Sequence, residues 1–218
     1  MHISEGFLPW THAAGWTLIS APCFVYSLRC ASVEMATGPE VRLRLAAAAG
    51  FLFALSALKL PSLAGSCSHA TGVALGAILI GPAVMPALAF VVLLFQALIL
   101  AHGGITSLGA NLFSLGVAGP IVAWWIAGSS TPSRTRAFLA GFVGSLCVYA
   151  TTSAELALAF PDAAGGVSAA FARFAGLFAI TQVPISVVEG IVTAAVVATV
   201  NSYTQTANGL SAAREVAG

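Results

Sequence analysis

His2 is the second residue of the chain, and that position gives it chemistry that an interior histidine lacks. The amine of Met1, the backbone nitrogen of His2 and the His2 imidazole can chelate one metal ion together. Amine and amide close a five-membered ring; amide and imidazole close a six-membered one. To bind, the amide must lose its proton, which makes it a strong in-plane donor. The three nitrogens lie near one plane and leave a fourth corner for another ligand. Square-planar nitrogen sites suit Cu(II) or Ni(II), and low-spin Co(II) is a further candidate. Amine and imidazole must also be unprotonated, so affinity is expected to fall with pH. Removal of an initiator methionine normally needs a small second residue, so Met1 is expected to stay. The opening Met1-His2-Ile3-Ser4-Glu5 also lacks the positively charged n-region of a signal peptide, which places it in the mature chain.

Two residues compete for the fourth corner in Gly65-Ser66-Cys67-Ser68-His69-Ala70-Thr71-Gly72. One is His69. The other is Cys67, whose softer thiolate would favour other metals. The remaining histidines have plainer readings. His12 lies between Trp10 and Trp16 and suits a membrane interface, where tryptophans gather. His102 precedes Gly103-Gly104 and suits a helix end or turn. Cys23, Cys30, Cys67 and Cys147 form no CxxC pair and imply no disulfide framework. The lone lysine, Lys59, follows Leu58, so no G-x-x-x-x-G-K-[ST] phosphate loop exists. If ATP drives this protein, another chain hydrolyses it. A net charge of +1 without a basic cluster excludes a nucleic-acid partner.

The elements that carry these residues are set by composition. Of 218 residues, 59% are apolar and 7% charged, against about 25% charged in a soluble domain. So few charges cannot cover a soluble globule of this size. The chain is an integral membrane protein. Apolar segments near the length of a span fall at 12–28, 45–60, 70–86, 87–101, 108–127, 137–160 and 174–200. The third and fourth are divided by Gly81-Pro82-Ala83-Val84-Met85-Pro86, which reads as a tight turn or as a kink in one long helix.

Basic residues decide between seven spans and six, because Lys and Arg concentrate in cytoplasmic loops. Seven spans put Arg29, Arg42, Arg44, Arg134, Arg136 and Arg214 inside, with Lys59 and Arg173 outside. Six spans divide them evenly. The expected fold is therefore an all-α integral membrane protein, a bundle of seven transmembrane helices with its N-terminus outside and its C-terminus cytoplasmic. It forms a single transmembrane domain over 1–218: an external chelating segment at 1–11, the bundle at 12–200, and a short polar cytoplasmic tail at 201–218. No soluble domain is expected. Gly72 with Gly76, and Ala140 with Gly144, have the spacing of closely packed membrane helices. Gln96, Asn111, Glu155, Gln182 and Glu189 fall in or beside spans. Such groups normally face the bundle interior, either orienting the ligands or joining helices.

The opening Met1-His2-Ile3-Ser4-Glu5-Gly6-Phe7-Leu8-Pro9 resembles the start of the CbiM/NikM family of cobalt and nickel transport proteins. Further matches are Gly65-Ser66-Cys67-Ser68-His69, Gly76-Ala77-Ile78-Leu79 and Gly81-Pro82, then Leu93-Leu94-Phe95-Gln96-Ala97-Leu98 and Ala101-His102-Gly103-Gly104-Ile105-Thr106. Leu108-Gly109-Ala110-Asn111, Phe174-Ala175-Gly176, Thr181-Gln182-Val183-Pro184 and Glu189-Gly190 continue the likeness over nearly the whole chain. Members are substrate-specific subunits of energy-coupling-factor-type metal importers. The resemblance implies that the Met1 amine, the His2 amide, the His2 imidazole and the His69 imidazole hold Co(II), or Ni(II), as cargo and not as a catalytic cofactor. It implies three kinds of partner: a transmembrane coupling subunit (CbiQ-like), a cytoplasmic ATPase (CbiO-like) and a small auxiliary membrane subunit (CbiN-like). A bacterial inner membrane and a supply of cobalt for cobalamin synthesis follow from the same likeness. Ala70 departs from the proline common in cobalt-type relatives. The Ser66-Cys67-Ser68-His69 form, with Thr71-Gly72, favours cobalt over nickel.

Two other classes compete. A proton-coupled secondary carrier would titrate Glu155 or Glu189 and would need no ATPase. A membrane metalloenzyme would use His2, His69 and His102, but a planar four-nitrogen site leaves no in-plane position for substrate or an activated water. The chain is expected to be a transporter subunit and not an enzyme.

Overall fold

The computed structural model describes residues 2–57, 60–61 and 66–217. In chain order the elements are β1 (His2–Ile3), α1 (Trp10–Ala36), α2 (Pro39–Ala57), β2 (Leu60–Pro61), β3 (Ser66–Ser68), α3 (Val73–Ile80) and α4 (Met85–Leu100). They continue with α5 (Leu108–Ala127), α6 (Arg134–Ala159) and α7 (Gly166–Ala217). Phe113–Ala118 within α5 is a wider, π-helical stretch just before Pro120. Proline has no N–H to continue an α-helical ladder, and a π-turn absorbs such an interruption.

Among the described residues the helical rods follow the order of the apolar segments, with one correction. The expected third segment at 70–86 is not one helix. Residues Ser66–Ser68 are a strand, Gly72 turns the chain at φ +68°, and α3 begins only at Val73. With eight residues, α3 is about 12 Å long, well short of a bilayer core of about 30 Å. Gly81 to Val84 form the turn into α4, so the prolines there separate two helices and do not bend one. Residues 201–217, expected as a separate polar tail, continue the backbone of α7.

The exterior differs from that of a water-soluble protein. Leu18, Trp125, Ile180 and Ile191 lie on the outside, whereas Gln96, Asn111, Glu155, Gln182 and Glu189 are buried. Polar groups turned inward among apolar packing, with apolar side chains outside, are what a lipid solvent selects. Among the described residues, three helical stretches are long and apolar enough to cross a membrane: α5, α6 and Gly166–Thr204 of α7. α3 lies inside the bundle, with Val73 to Ile78 all buried. Small residues allow α6 and α7 to approach closely, and a Cβ on Gly141 would stand 2.8 Å from the Gly190 backbone.

A small sheet interrupts the helical plan. Its order is β1-β3-β2, antiparallel throughout. It joins the start of the chain to a segment more than sixty residues later, and it carries the site.

Candidate metal centre

β3 forms the middle of the sheet. On one side His2 pairs with Cys67 and Ile3 with Ser66; on the other, Leu60 pairs with Ser68 and Pro61 with Cys67. A two-residue strand has too few ladder bonds to hold alone, and β1 is secured from its other edge. The Ile3 N–H donates to Asn111 Oδ1 at 2.8 Å, and Asn111 Nδ2 donates to the Ile3 carbonyl at 3.0 Å. Ser107 Oγ donates to the same carbonyl at 2.6 Å.

The following turn is fixed to the α4–α5 connection. Glu5 N–H donates to the Gly103 carbonyl at 3.1 Å, and Gly6 N–H donates to Thr106 Oγ1 at 3.0 Å. The Glu5 carboxylate accepts from the amides of Ile105 and Thr106. Hydrogen bonding from the Thr106 side chain, helped by those two amides, holds the Glu5 carboxyl below its usual range. Gly104 makes the approach possible, since a Cβ there would lie 2.5 Å from Glu5 Cα.

His69 follows β3 and reaches His2 side by side. His69 Nε2 is 2.9 Å from His2 Nδ1, and the rings stack with centroids 4.3 Å apart at 28°. His69 Nδ1 lies 2.9 Å from the Ala70 carbonyl. Donation there leaves the Nε2 lone pair directed at His2, the arrangement typical of a histidine ligand whose second nitrogen is anchored. The 2.9 Å separation carries geometric information. Metal–imidazole bonds of about 2.0–2.1 Å put two ligands at a right angle about 2.8–3.0 Å apart; a tetrahedral angle would put them at about 3.3–3.4 Å. The contact is a hydrogen bond between the two rings, and its length also falls in the right-angle range.

His102 completes a triad of imidazoles. It enters through Ala101, in the left-handed region at φ +47°, and its N–H donates to the Gln96 carbonyl at 3.1 Å. Its ring stands edge-on to His2 and His69, with centroids 4.6 and 4.7 Å away at 86° and 79°. One nitrogen from each ring lies within 4.8 Å of the others. Burial pushes the His2 and His69 imidazoles well below their ordinary value, and the neighbouring rings add to the shift. Both are therefore held neutral, the form that binds metal.

The chain around His69 is held by α7. Ser68 Oγ accepts from Gln182 Nε2 at 2.6 Å and lies 2.9 Å from Thr181 Oγ1. The Glu189 carboxylate accepts from the Thr71 amide at 2.9 Å, the Gly72 amide at 2.8 Å and the Thr71 hydroxyl. These amides precede α3, where a helix presents unpaired donors and partial positive charge. That compensation explains a carboxylate 1% exposed inside the bundle.

Of the residues singled out from sequence, His2 and His69 meet. His102, read there as a turn residue, joins them. Met1 lies outside the described residues. Cys67 contributes its backbone to the sheet, and His12 stands apart, half-buried on α1. Glu155, expected with the other polar residues of the spans to face the bundle interior, is fully buried. Asn111 was visible as a buried amide, whereas the parts played by Glu5, Ser107 and Gly104 were missed. Glu5 offered one signal, as the single charged side chain among the first ten residues.

Known proteins resemble this chain over most of its length. The family model described as CbiM, cobalt uptake substrate-specific transmembrane region, matches residues 2–207. Cobalt transport protein CbiM 2 of Pelobacter propionicus is 50% identical over 200 residues, covering 90% of this chain and 88% of the relative. Cobalt transport protein CbiM of Anoxybacillus flavithermus is 50% identical over 211 residues, covering 94% and 84%. Among solved structures, a transition metal transporter superposes with a TM-score of 0.75 at 24% identity, covering 96% of this chain and 94% of the other. A truncated transition metal transporter gives a TM-score of 0.74, also at 24% identity, covering 94% and 99%. At that identity the two structures speak for the fold.

Proposed function

This chain belongs to the CbiM family, the substrate-specific membrane component of cobalt uptake, and from that premise we propose that it captures Co(II) with the nitrogens of Met1, His2 and His69. The observation that carries the reading is the 2.9 Å between His2 Nδ1 and His69 Nε2, inside a buried site whose imidazoles are neutral. Two adjacent corners come from these rings. The His2 amide and the Met1 amine supply the other two through fused chelate rings. The cargo is cobalt, as the family description states; Ni(II) would accept the same four donors.

The chain crosses the membrane seven times, N-terminus outside and the site toward the outer face, with the third crossing made by the non-helical residues 66–72 together with the short α3. Arg42 at the start of α2, and Arg134 and Arg136 at the start of α6, then lie on the cytoplasmic side with Arg29 and Arg44. This distribution obeys the positive-inside rule. The chain is the binding subunit of an energy-coupling-factor-type importer of the bacterial inner membrane. It works with a CbiQ-like coupling subunit, a CbiO-like ATPase and a CbiN-like auxiliary protein. The sequence holds no phosphate loop, so ATP is hydrolysed on a separate chain. Residues 2–6 close over the ion from outside, and partner movement opens the site inward.

The deciding experiment inserts one residue between Met1 and His2. Every side chain is kept, but the fused rings are broken. Calorimetry in detergent should then show loss of tight Co(II) binding. Unchanged binding would defeat the assignment.

A further inference from the structure

The imidazoles of His2 and His69 wall a cavity of about 20 Å³ together with Ser56, Thr71, Met85 and Gln96. That volume takes one water molecule and little more. Gln96 is fully buried on α4. Its Nε2 donates to the Ser56 hydroxyl, and that hydroxyl donates to the Leu52 carbonyl. The Ser56 proton is therefore committed, so the amide must present its NH2 to Ser56 and its oxygen elsewhere. Gln96 Oε1 is buried without a hydrogen-bond partner among the described residues, a costly state for an amide oxygen. It lacks a donor among these residues, and the cavity that Gln96 lines, walled otherwise mostly by apolar side chains, has room for one.

We propose that Gln96 Oε1 accepts a hydrogen bond from a single water bound to the captured ion at an apical position, and that this contact favours Co(II) over Ni(II). The inference rests on the reading that Met1, His2 and His69 hold the ion. Their four nitrogens fill the plane, so a fifth ligand can come only from above or below it. A divalent ion polarises the water it binds and makes it a strong donor, which is what a lone acceptor selects. Low-spin Co(II) carries a single electron in its axial orbital and takes an apical ligand. Planar Ni(II) has that orbital filled and gains little. Gln96 thus acts as a positioning residue, touching the bound water and not the ion. The rival apical donor is His102, whose ring stands nearly perpendicular to both ligand rings.

The test is electron paramagnetic resonance of the full-length protein loaded with Co(II) in detergent, in ordinary and oxygen-17-enriched water. The wild type should show oxygen-17 broadening of a low-spin signal, and Gln96→Met should lose it. Co(II) affinity should fall roughly tenfold in that variant, with Ni(II) affinity moving less. If Gln96→Met does not fold, Gln96→Asn withdraws the oxygen by one methylene and should reduce the broadening. Tight Co(II) binding without broadening in the wild type overturns the proposal, as does broadening that survives in both variants. Axial nitrogen splitting that disappears in His102→Ala also overturns it, since the apical ligand is then the imidazole. The underlying ligand assignment fails separately, by Co(II) affinity that is unchanged in His69→Ala.

Discussion

The side-chain amide of Asn111 treats Ile3 as a neighbouring strand would, accepting from its N–H at 2.8 Å and donating to its carbonyl at 3.0 Å. β1 is thereby paired on both edges, with β3 on one side and a single carboxamide on the other. Leaving a buried peptide group unpaired costs about 1–3 kcal/mol, and Asn111→Ala strands one donor and leaves the carbonyl to Ser107. Because the same two residues of β1 position His2, the loss should appear as metal affinity lowered roughly 10- to 100-fold. Calorimetry measures it, while circular dichroism should show the helices unchanged. An affinity equal to wild type would mean that β1 needs no second edge.

Gly104→Ala tests the docking of the N-terminal segment by steric means. The added Cβ would lie 2.5 Å from Glu5 Cα and 2.7 Å from Glu5 N. Backbone atoms cannot swing aside as a flexible side chain can, so the segment must lift away. Metal binding should be lost, and the bonds at residues 3–7 should become sensitive to protease in a bundle that is otherwise intact.

Acid should loosen the same segment through Glu5. Its carboxyl sits below the ordinary value of 4.5 when docked and returns to it when released. The undocked state therefore binds more protons in the window between the two values. Glu5 contributes its full stabilisation above about pH 4.5 and loses it as pH falls through the lowered docked value. Hydrogen exchange at the Ile105 and Thr106 amides, corrected for intrinsic rates, should accelerate over that window in metal-free protein. Glu5→Gln, which has no charge to lose, should flatten this limb of the profile.

The fourth corner has two sequence candidates, and substitution separates them. His69→Ala removes a nitrogen that lies 2.9 Å from its partner donor. Affinity should fall at least as far as in Asn111→Ala, by roughly 10- to 100-fold or more. Cys67→Ala should leave affinity close to wild type, since this residue joins the sheet through its backbone. The reverse result would move the ligand to the thiol.

Helices were the legible part of this fold. Apolar runs bounded by charges and prolines gave each rod to within a few residues for α5 and more loosely for α1 and α2, whose ends extend into polar sequence. Hydropathy could not reveal that Ser66-Cys67-Ser68 is extended, because the strand exists through pairing with residues at the very start of the chain. No local pattern records a partner so far away. His2 was legible from its position alone, whereas His69 needed family resemblance to prevail over Cys67. The burial of Glu155 followed from its place in an apolar span, because an ionisable group there turns inward.

His2 and His69 are mounted on different parts of the bundle. Asn111 of α5 holds the strand of His2, while Thr181, Gln182 and Glu189 of α7 hold the chain on either side of His69. The pairing of β1 with β3 nevertheless ties the two imidazoles together, and α7 runs on far beyond the site to Ala217. Any shift of that long helix relative to α5 would therefore be felt first as strain in the small sheet that joins them.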